Sequence, residues 1–238
     1  MSVAAEDHGG QTVEFLGDLS ASVWVRLPRQ ARSEETLTRF LEATAELLAD
    51  RRFDEISVNE ICRRAGRTVG SFYARFDDKS SVLRVLVEQV ADRVRAEAEA
   101  YWVPENFAGE SIEEVIGRTV DAVLGAYREA GAVFNAAAID APNDEIFRNA
   151  RLGVWNACAD GFGEVLVDHR DQITHPDPRR GGEFAMMAVI SVVDVRMIYG
   201  DQTRPLCLDE GELRLDLISL VRSLLNPCPP DDQSRAQS

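Results

Sequence analysis

Between residues 57 and 76 the chain has room for two short helices and one tight turn, and this constrains the fold more than any other stretch. Ser57-Val58-Asn59-Glu60 matches the S/T-x-x-E capping box, in which the Ser oxygen and the Glu carboxylate each satisfy a backbone N–H left over at a helix start. The helix it opens runs to Arg64, and Ala65-Gly66 ends it, because glycine readily takes the left-handed conformation of a tight reversal. Thr68 caps a second short helix through Ala74. Two short helices joined by a Gly-containing turn form the helix-turn-helix pattern.

The rest of the chain reads as longer helices. Ser33 precedes a run in which Leu37, Phe40, Leu41, Thr44, Ala45 and Leu48 recur at helical spacing, so Ser33 is the expected N-cap. Asp77 and Asp78 lead into Lys79 and a long helix expected to reach Trp102 before Pro104. Ser111-Ile112-Glu113-Glu114 is a second capping box, opening a helix through Ala130 that is expected to stop at Gly131; a short helix then covers Val133 to Ile139. Asn143 is expected to cap a long helix, Gln172 to Gly182 to form a loop, and Glu183 to Tyr199 a helix ending at Gly200. Asp209 caps a last helix stopped by Pro227. The class is all-α with about nine helices. The expected division is an arm at 1–31 and a tail at 228–238, both disordered, a helix-turn-helix domain at 32–80, and a ligand-binding and dimerisation domain at 81–227.

Composition narrows the function classes. With 45% apolar and 28% charged residues the chain suits a water-soluble globular protein. The apolar stretch from Phe184 to Val193 is about half the length a membrane span needs, and no secretory signal is apparent, so the protein is read as cytoplasmic and without membrane contact. Cys62, Cys158, Cys207 and Cys228 include no C-x-x-C pair, and His8, His169 and His175 read as solvated residues rather than ligands; no metal site and no cofactor are expected. Paired carboxylates such as Asp140 and Asp144 could be recruited by an enzyme, but there is no nucleophile-base set and no Gly-rich phosphate loop, so no catalytic residue is assigned. The net charge of -15 is unevenly spread: Arg29 to Ser80 holds ten Lys/Arg and ten Asp/Glu, and Ile61 to Phe76 has Arg63, Arg64, Arg67 and Arg75 with no carboxylate. A local cationic face on an acidic body suits phosphate contact without stray adhesion.

Residues 33 to 83 resemble the DNA-binding domain of the TetR family of bacterial regulators. The resemblance lies in Leu41 to Leu48 (LEATAELL), Phe53, Ser57 to Ile61 (SVNEI), Ala65-Gly66, Gly70-Ser71-Phe72-Tyr73, Phe76 and Asp78-Lys79. It implies a ligand-responsive repressor that binds a palindromic double-stranded operator as a homodimer and is released by a small-molecule effector. It also implies that Tyr73 sets its hydroxyl on a phosphate. Physical reasoning about the groove points to the same helix: Thr68, Val69, Gly70 and Ser71 are small residues at the start of a short recognition helix. Gly70 is a poor helix former, so a backbone approaches it closely, either DNA or a neighbouring helix. Lys79 opens a helix where amide and ammonium can share an anion, and Arg75 is the long reach to a base or phosphate. Arg67 departs from the family's small apolar residue, and either snorkels outward to a phosphate or loosens the turn. Arg63 and Arg64 either contact phosphate or are simply solvated. Phe72 and Phe76 belong to the core with Phe40, Phe53 and Ile61.

In the body, Trp102, Tyr127, Phe134, Phe147 and Trp155 are the expected lining of an effector cavity, with Arg151, Arg128, Asn135, Asp140 and Asn156 as candidate polar anchors. The last two helices are expected to pair with those of a second copy through Ala185, Ala188, Ser191 and the Leu213-Leu217-Leu220-Leu224 seam; the alternative is a monomer that buries these surfaces internally. Activation in place of repression, or a scaffold that has lost DNA affinity, would use the same fold.

Overall fold

Helix α1, Ala31–Leu48, already contains Ser33, so the expected cap there is not formed: Ala31 and Arg32 are good helix formers and extend the helix backwards. The computed structural model describes residues 31–140, 142–200 and 208–226, without the side chains of 31–33 and 140; the expected N-terminal arm, apart from residue 31, and the expected C-terminal tail lie outside the described residues. Seven further helices follow: α2 (Val58–Ala65), α3 (Val69–Tyr73), α4 (Lys79–Tyr101), α5 (Ile112–Asp140), α6 (Glu145–Asp168), α7 (Pro178–Tyr199) and α8 (Glu210–Leu225). The described residues contain no β-strand, so the class is all-α, with eight α-helices where nine were expected.

The count differs because Gly131 does not stop α5, which runs on as one helix of 29 residues. A mid-helix glycine costs only about 1 kcal/mol against alanine, and here it makes room: a Cβ on Gly131 would lie 2.5 Å from Met197 Cε of α7. The expected loop from Gln172 to Gly182 is shorter for a related reason. Asp177 accepts from the Arg180 N–H and Pro178 takes the first helical position, so α7 starts before its two glycines. Gly182 sits against the backbone of Gly163, where a Cβ would come 3.1 Å from Gly163 Cα, so α6 and α7 cross at glycines. Asp144 rather than Asn143 caps α6. His169, expected to be solvated, is buried at the end of α6, with Nδ1 2.9 Å from the Val165 carbonyl.

The first three helices close around aromatic side chains. Phe40 of α1 meets Phe72 and Phe76 edge-on with ring centroids 5.4 and 6.1 Å apart, and all three rings are fully buried with Phe53 and Ile61 around them. Helix α4 leaves this unit and packs on α6, which lies against α7, while α5 and α8 cover the far side. Leu213 and Leu217 of the expected α8 seam are buried inside this one chain, and so is Ala185 of α7. The apolar residues these two helices leave outward are Phe184, Val195, Tyr199 and Leu215.

Candidate nucleic-acid interface and ligand cavity

The turn between α2 and α3 is built from local hydrogen bonds. Ser57 Oγ accepts the Glu60 N–H at 3.2 Å and the Ser57 N–H donates to Glu60 Oε2 at 2.8 Å, completing the capping box. Arg51 also pairs with this carboxylate at 2.6 Å, and that ion pair together with the Ser57 contacts holds Glu60 down at about 2. Gly66 ends α2 at φ +63°, the left-handed region open to glycine. Thr68 Oγ1 then accepts the Ser71 N–H at 3.1 Å, and α3 begins.

Helix α3 is one-sided. Phe72 anchors it inward, while Thr68, Val69, Gly70 and Tyr73 are exposed, Tyr73 by 49%. A Cβ on Gly70 would meet no atom closer than Thr68 Oγ1 at 3.9 Å. No neighbouring helix among the described residues demands that glycine.

Three cations expected at this face are engaged with the protein itself. Lys79 Nζ donates to the carbonyls of Phe53 at 2.6 Å and Ile56 at 2.8 Å, and lies 4.4 Å from the Phe53 ring centroid. Its ammonium therefore ties the start of α4 to the 3₁₀ turn Phe53–Glu55 rather than reaching for an anion, because that turn presents its C-terminal carbonyls to the positive charge. Arg75 folds back along α3, donating to the Ser71 carbonyl at 3.0 Å. Arg67 follows neither expected course: it reaches back to Glu35 and Thr36 of α1, each at 3.3 Å, and to the Gly66 carbonyl at 3.2 Å, so it braces the turn. Arg63 and Arg64 are exposed, and Arg64 pairs with Glu46.

In the body, Trp102, Tyr127, Phe134, Arg151 and Trp155 come together around one cavity of about 320 Å³ between α4, α5, α6 and α7. Phe147 is not in it; it lines a neighbouring cavity of about 240 Å³ that shares Phe134, Arg151 and Trp155. Of the other candidate anchors, Arg128 pairs with Glu210, Asn156 is exposed, Asn135 lines neither cavity, and the side chain of Asp140 is outside the described residues.

The polar centre of the larger cavity is Asp194, which the sequence reading did not assign. Its Oδ1 accepts from the Tyr127 hydroxyl at 2.6 Å and its Oδ2 from Arg151 Nη2 at 2.7 Å, while the Arg151 guanidinium lies 4.5 Å from the Trp155 ring centroid. Burial, then the Asp194 charge, raises the Tyr127 hydroxyl well above its ordinary range, so it stays a neutral donor. Burial pushes the Cys158 thiol up to about 12, which leaves it unreactive. The signal for Asp194 was available: it is the lone charge between Glu183 and Arg196, and a charge in an apolar helix needs a partner. Two donors on lining residues, Arg151 Nε and Trp102 Nε1, are buried without a hydrogen-bond partner.

A one-sided short helix on a glycine turn, joined by a long helix to a body with a cavity, defines a helix-turn-helix unit on a helical body. Residues 40–86 match the family of bacterial regulatory proteins of the tetR family. Over 60 residues the chain is 40% identical to an uncharacterized HTH-type transcriptional regulator, YwcC of Bacillus subtilis (strain 168), a match covering 25% of this chain and 27% of that protein. The crystal structure of a putative TetR-family transcriptional regulator from Mesorhizobium loti superposes with a TM-score of 0.63 at 16% identity, over 83% of this chain and 98% of the other. A putative transcriptional regulator from Saccharomonospora viridis, solved in complex with choline, gives 0.63 at 14% identity, over 82% and 100%. Residues 40–86 thus match a tetR-family helix-turn-helix domain, and the chain shares its fold with the TetR-family regulator on which it superposes. No helix among the described residues is long and apolar enough to cross a membrane.

Proposed function

We propose that the chain is a transcriptional repressor that binds a palindromic operator as a homodimer and lets go when a small molecule fills the cavity of the body. The observation that carries this is the bare outer face of α3, where Gly70 has open space above it and Val69 and Tyr73 stand out beside it. A helix entering the major groove needs small leading residues and a close backbone. On this reading residues 32–80 hold the DNA and 81–227 sense and dimerise. Thr68, Val69, Gly70, Ser71 and Tyr73 face the groove, Arg67 and Arg75 flank them with positive charge, and the first turn of α4 at Lys79 faces a phosphate with its backbone.

Dimerisation draws support from the outward apolar side chains of α7 and α8, Phe184 and Leu215, exposed by 64% and 62%, with Val195 and Tyr199. A second copy packed on these helices would cover them. Release works by population shift: α4 starts at the helix-turn-helix and reaches the cavity through Val94, Ala98 and Tyr101, so a ligand that favours a different tilt of α4 changes the spacing of the two recognition helices.

Genomic footprinting of the protein supplies candidate operators, and binding to them is then titrated against salt. A linear fall of log affinity with log salt, weakened by Tyr73→Ala, is the expected result. Absent or salt-insensitive binding overturns the proposal in favour of a scaffold.

A further inference from the structure

The hydrogen bonds already made inside the cavity restrict what it can hold. Both oxygens of Asp194 accept a hydrogen bond, one from the Tyr127 hydroxyl and one from Arg151, so the carboxylate and the guanidinium are already matched in charge. Two buried donors on the lining residues are left over, the N–H groups of Arg151 Nε and Trp102 Nε1, both cut off from water and neither meeting an acceptor. Trp102 itself is only 7% exposed. Around them the wall is apolar and aromatic, with Tyr101, Phe134 and Trp155.

We propose that the cavity takes a neutral, largely apolar molecule of aromatic-ring size that carries a hydrogen-bond acceptor, of the aryl ketone or quinone class; this rests on the reading of the cavity as an effector site. A buried N–H without an acceptor destabilises the unliganded protein, and a ligand carbonyl that draws either N–H to the cavity wall relieves that. A cation at Asp194 would meet the Arg151 guanidinium that already neutralises that carboxylate, and the other lining carboxylates, Glu97 and Glu129, are exposed to solvent. An anion would compete with Asp194 for Arg151 and pass the exposed Glu97 and Glu129, which also line the cavity, on a chain of net charge -15. Fold likeness at 14% identity transfers none of the choline-bound neighbour's ligand preference.

The test is calorimetric titration of the full chain with four molecules built on one frame: diphenylmethane, benzophenone, 4-benzoylbenzoate and (4-benzoylbenzyl)trimethylammonium. Benzophenone is expected to bind about tenfold tighter than diphenylmethane, the order of effect of one satisfied buried donor, and tighter than either charged analogue. In Trp102→Phe or Arg151→Lys that ratio is expected to fall toward one. Equal affinity for diphenylmethane and benzophenone, preference for a charged analogue, no binding of benzophenone, or a ratio unmoved by both substitutions overturns the proposal. Release from footprinted DNA is read separately. Benzophenone that binds yet leaves the DNA held overturns the effector reading and not the ligand class; release by a charged analogue alone overturns the class and not the effector reading.

Discussion

Arg84 of α4 and Asp144 at the start of α6 form an ion pair across sixty residues of sequence, Nε to Oδ2 at 2.9 Å, with both side chains largely buried. The other oxygen of Asp144 accepts the Ile146 N–H at 3.0 Å, so one carboxylate both caps α6 and tethers it to the helix that leaves the helix-turn-helix unit. Because α6 also carries Arg151, Trp155 and Cys158 on the cavity wall, this pair joins the cavity to the unit that holds α3.

Separating the two roles of Asp144 calls for a double-mutant cycle. Asp144→Asn keeps a capping oxygen and loses the charge, while Asp144→Ala loses both, so the alanine variant is expected to be less stable by about a further 1 kcal/mol. The cycle with Arg84→Met should give a coupling of roughly 0.5–3 kcal/mol in urea denaturation. Strict additivity would show that the pair does not hold the helices together.

Gly70→Ala separates folding from binding. With open space above the glycine, the substitution is expected to raise stability by about 0.4–1 kcal/mol and to weaken operator binding by fluorescence anisotropy. A loss of stability would mean that the outer face of α3 is not free.

Lys79 and Tyr73 are expected to behave oppositely. Lys79→Met removes charge-assisted hydrogen bonds to two carbonyls and should cost about 1.5–3 kcal/mol in chemical denaturation. Tyr73→Phe removes only a hydroxyl from a half-exposed ring; stability should stay within about 0.5 kcal/mol, while affinity falls for all DNA sequences alike.

The capping box sets an acid dependence. Glu60 is held at about 2 by Arg51 and Ser57, below the roughly 4.3 of an unfolded glutamate. A depressed carboxyl adds stability above its unfolded value and loses it as pH falls through its folded value. The stability difference between wild type and Glu60→Gln, followed by urea titration, should therefore be full above about pH 4.5 and vanish toward pH 2. A difference that stays constant across that window would rule out the ionised cap as its source.

Two glycines inside helices should respond differently to alanine. At Gly182 the new Cβ meets the backbone of Gly163 at 3.1 Å and Leu166 Cδ1 at 2.8 Å; α6 and α7 must separate, at a cost of about 1–3 kcal/mol in thermal or urea unfolding. At Gly131 the obstacle is the flexible end of Met197, which can turn aside, so the helix gain of alanine offsets the repacking and stability should change by less than about 1 kcal/mol.

What the sequence determined by itself is local. The Ser57 and Asp209 capping boxes, the left-handed Gly66, the Thr68 cap and the spacing of Phe72 and Phe76 are decided by groups a few residues apart, whose geometry follows from helix periodicity and backbone hydrogen bonding. The candidate cavity was legible for a similar reason, since aromatic residues such as Tyr127 and Trp155, well inside long helices, have few other places to go. Tertiary structure decided the rest. Gly131 and Gly182 look like breaks in a one-dimensional pattern, yet they are helical and buried because another helix passes close by. Lys79 and Arg67 look like DNA contacts by position, yet the carbonyls of the 3₁₀ turn and Glu35 of α1 hold them. Asp194 meets Tyr127 and Arg151 from 67 and 43 residues away. Pairing at such range depends on which helices abut, and helix packing fixes that only once the whole core has closed.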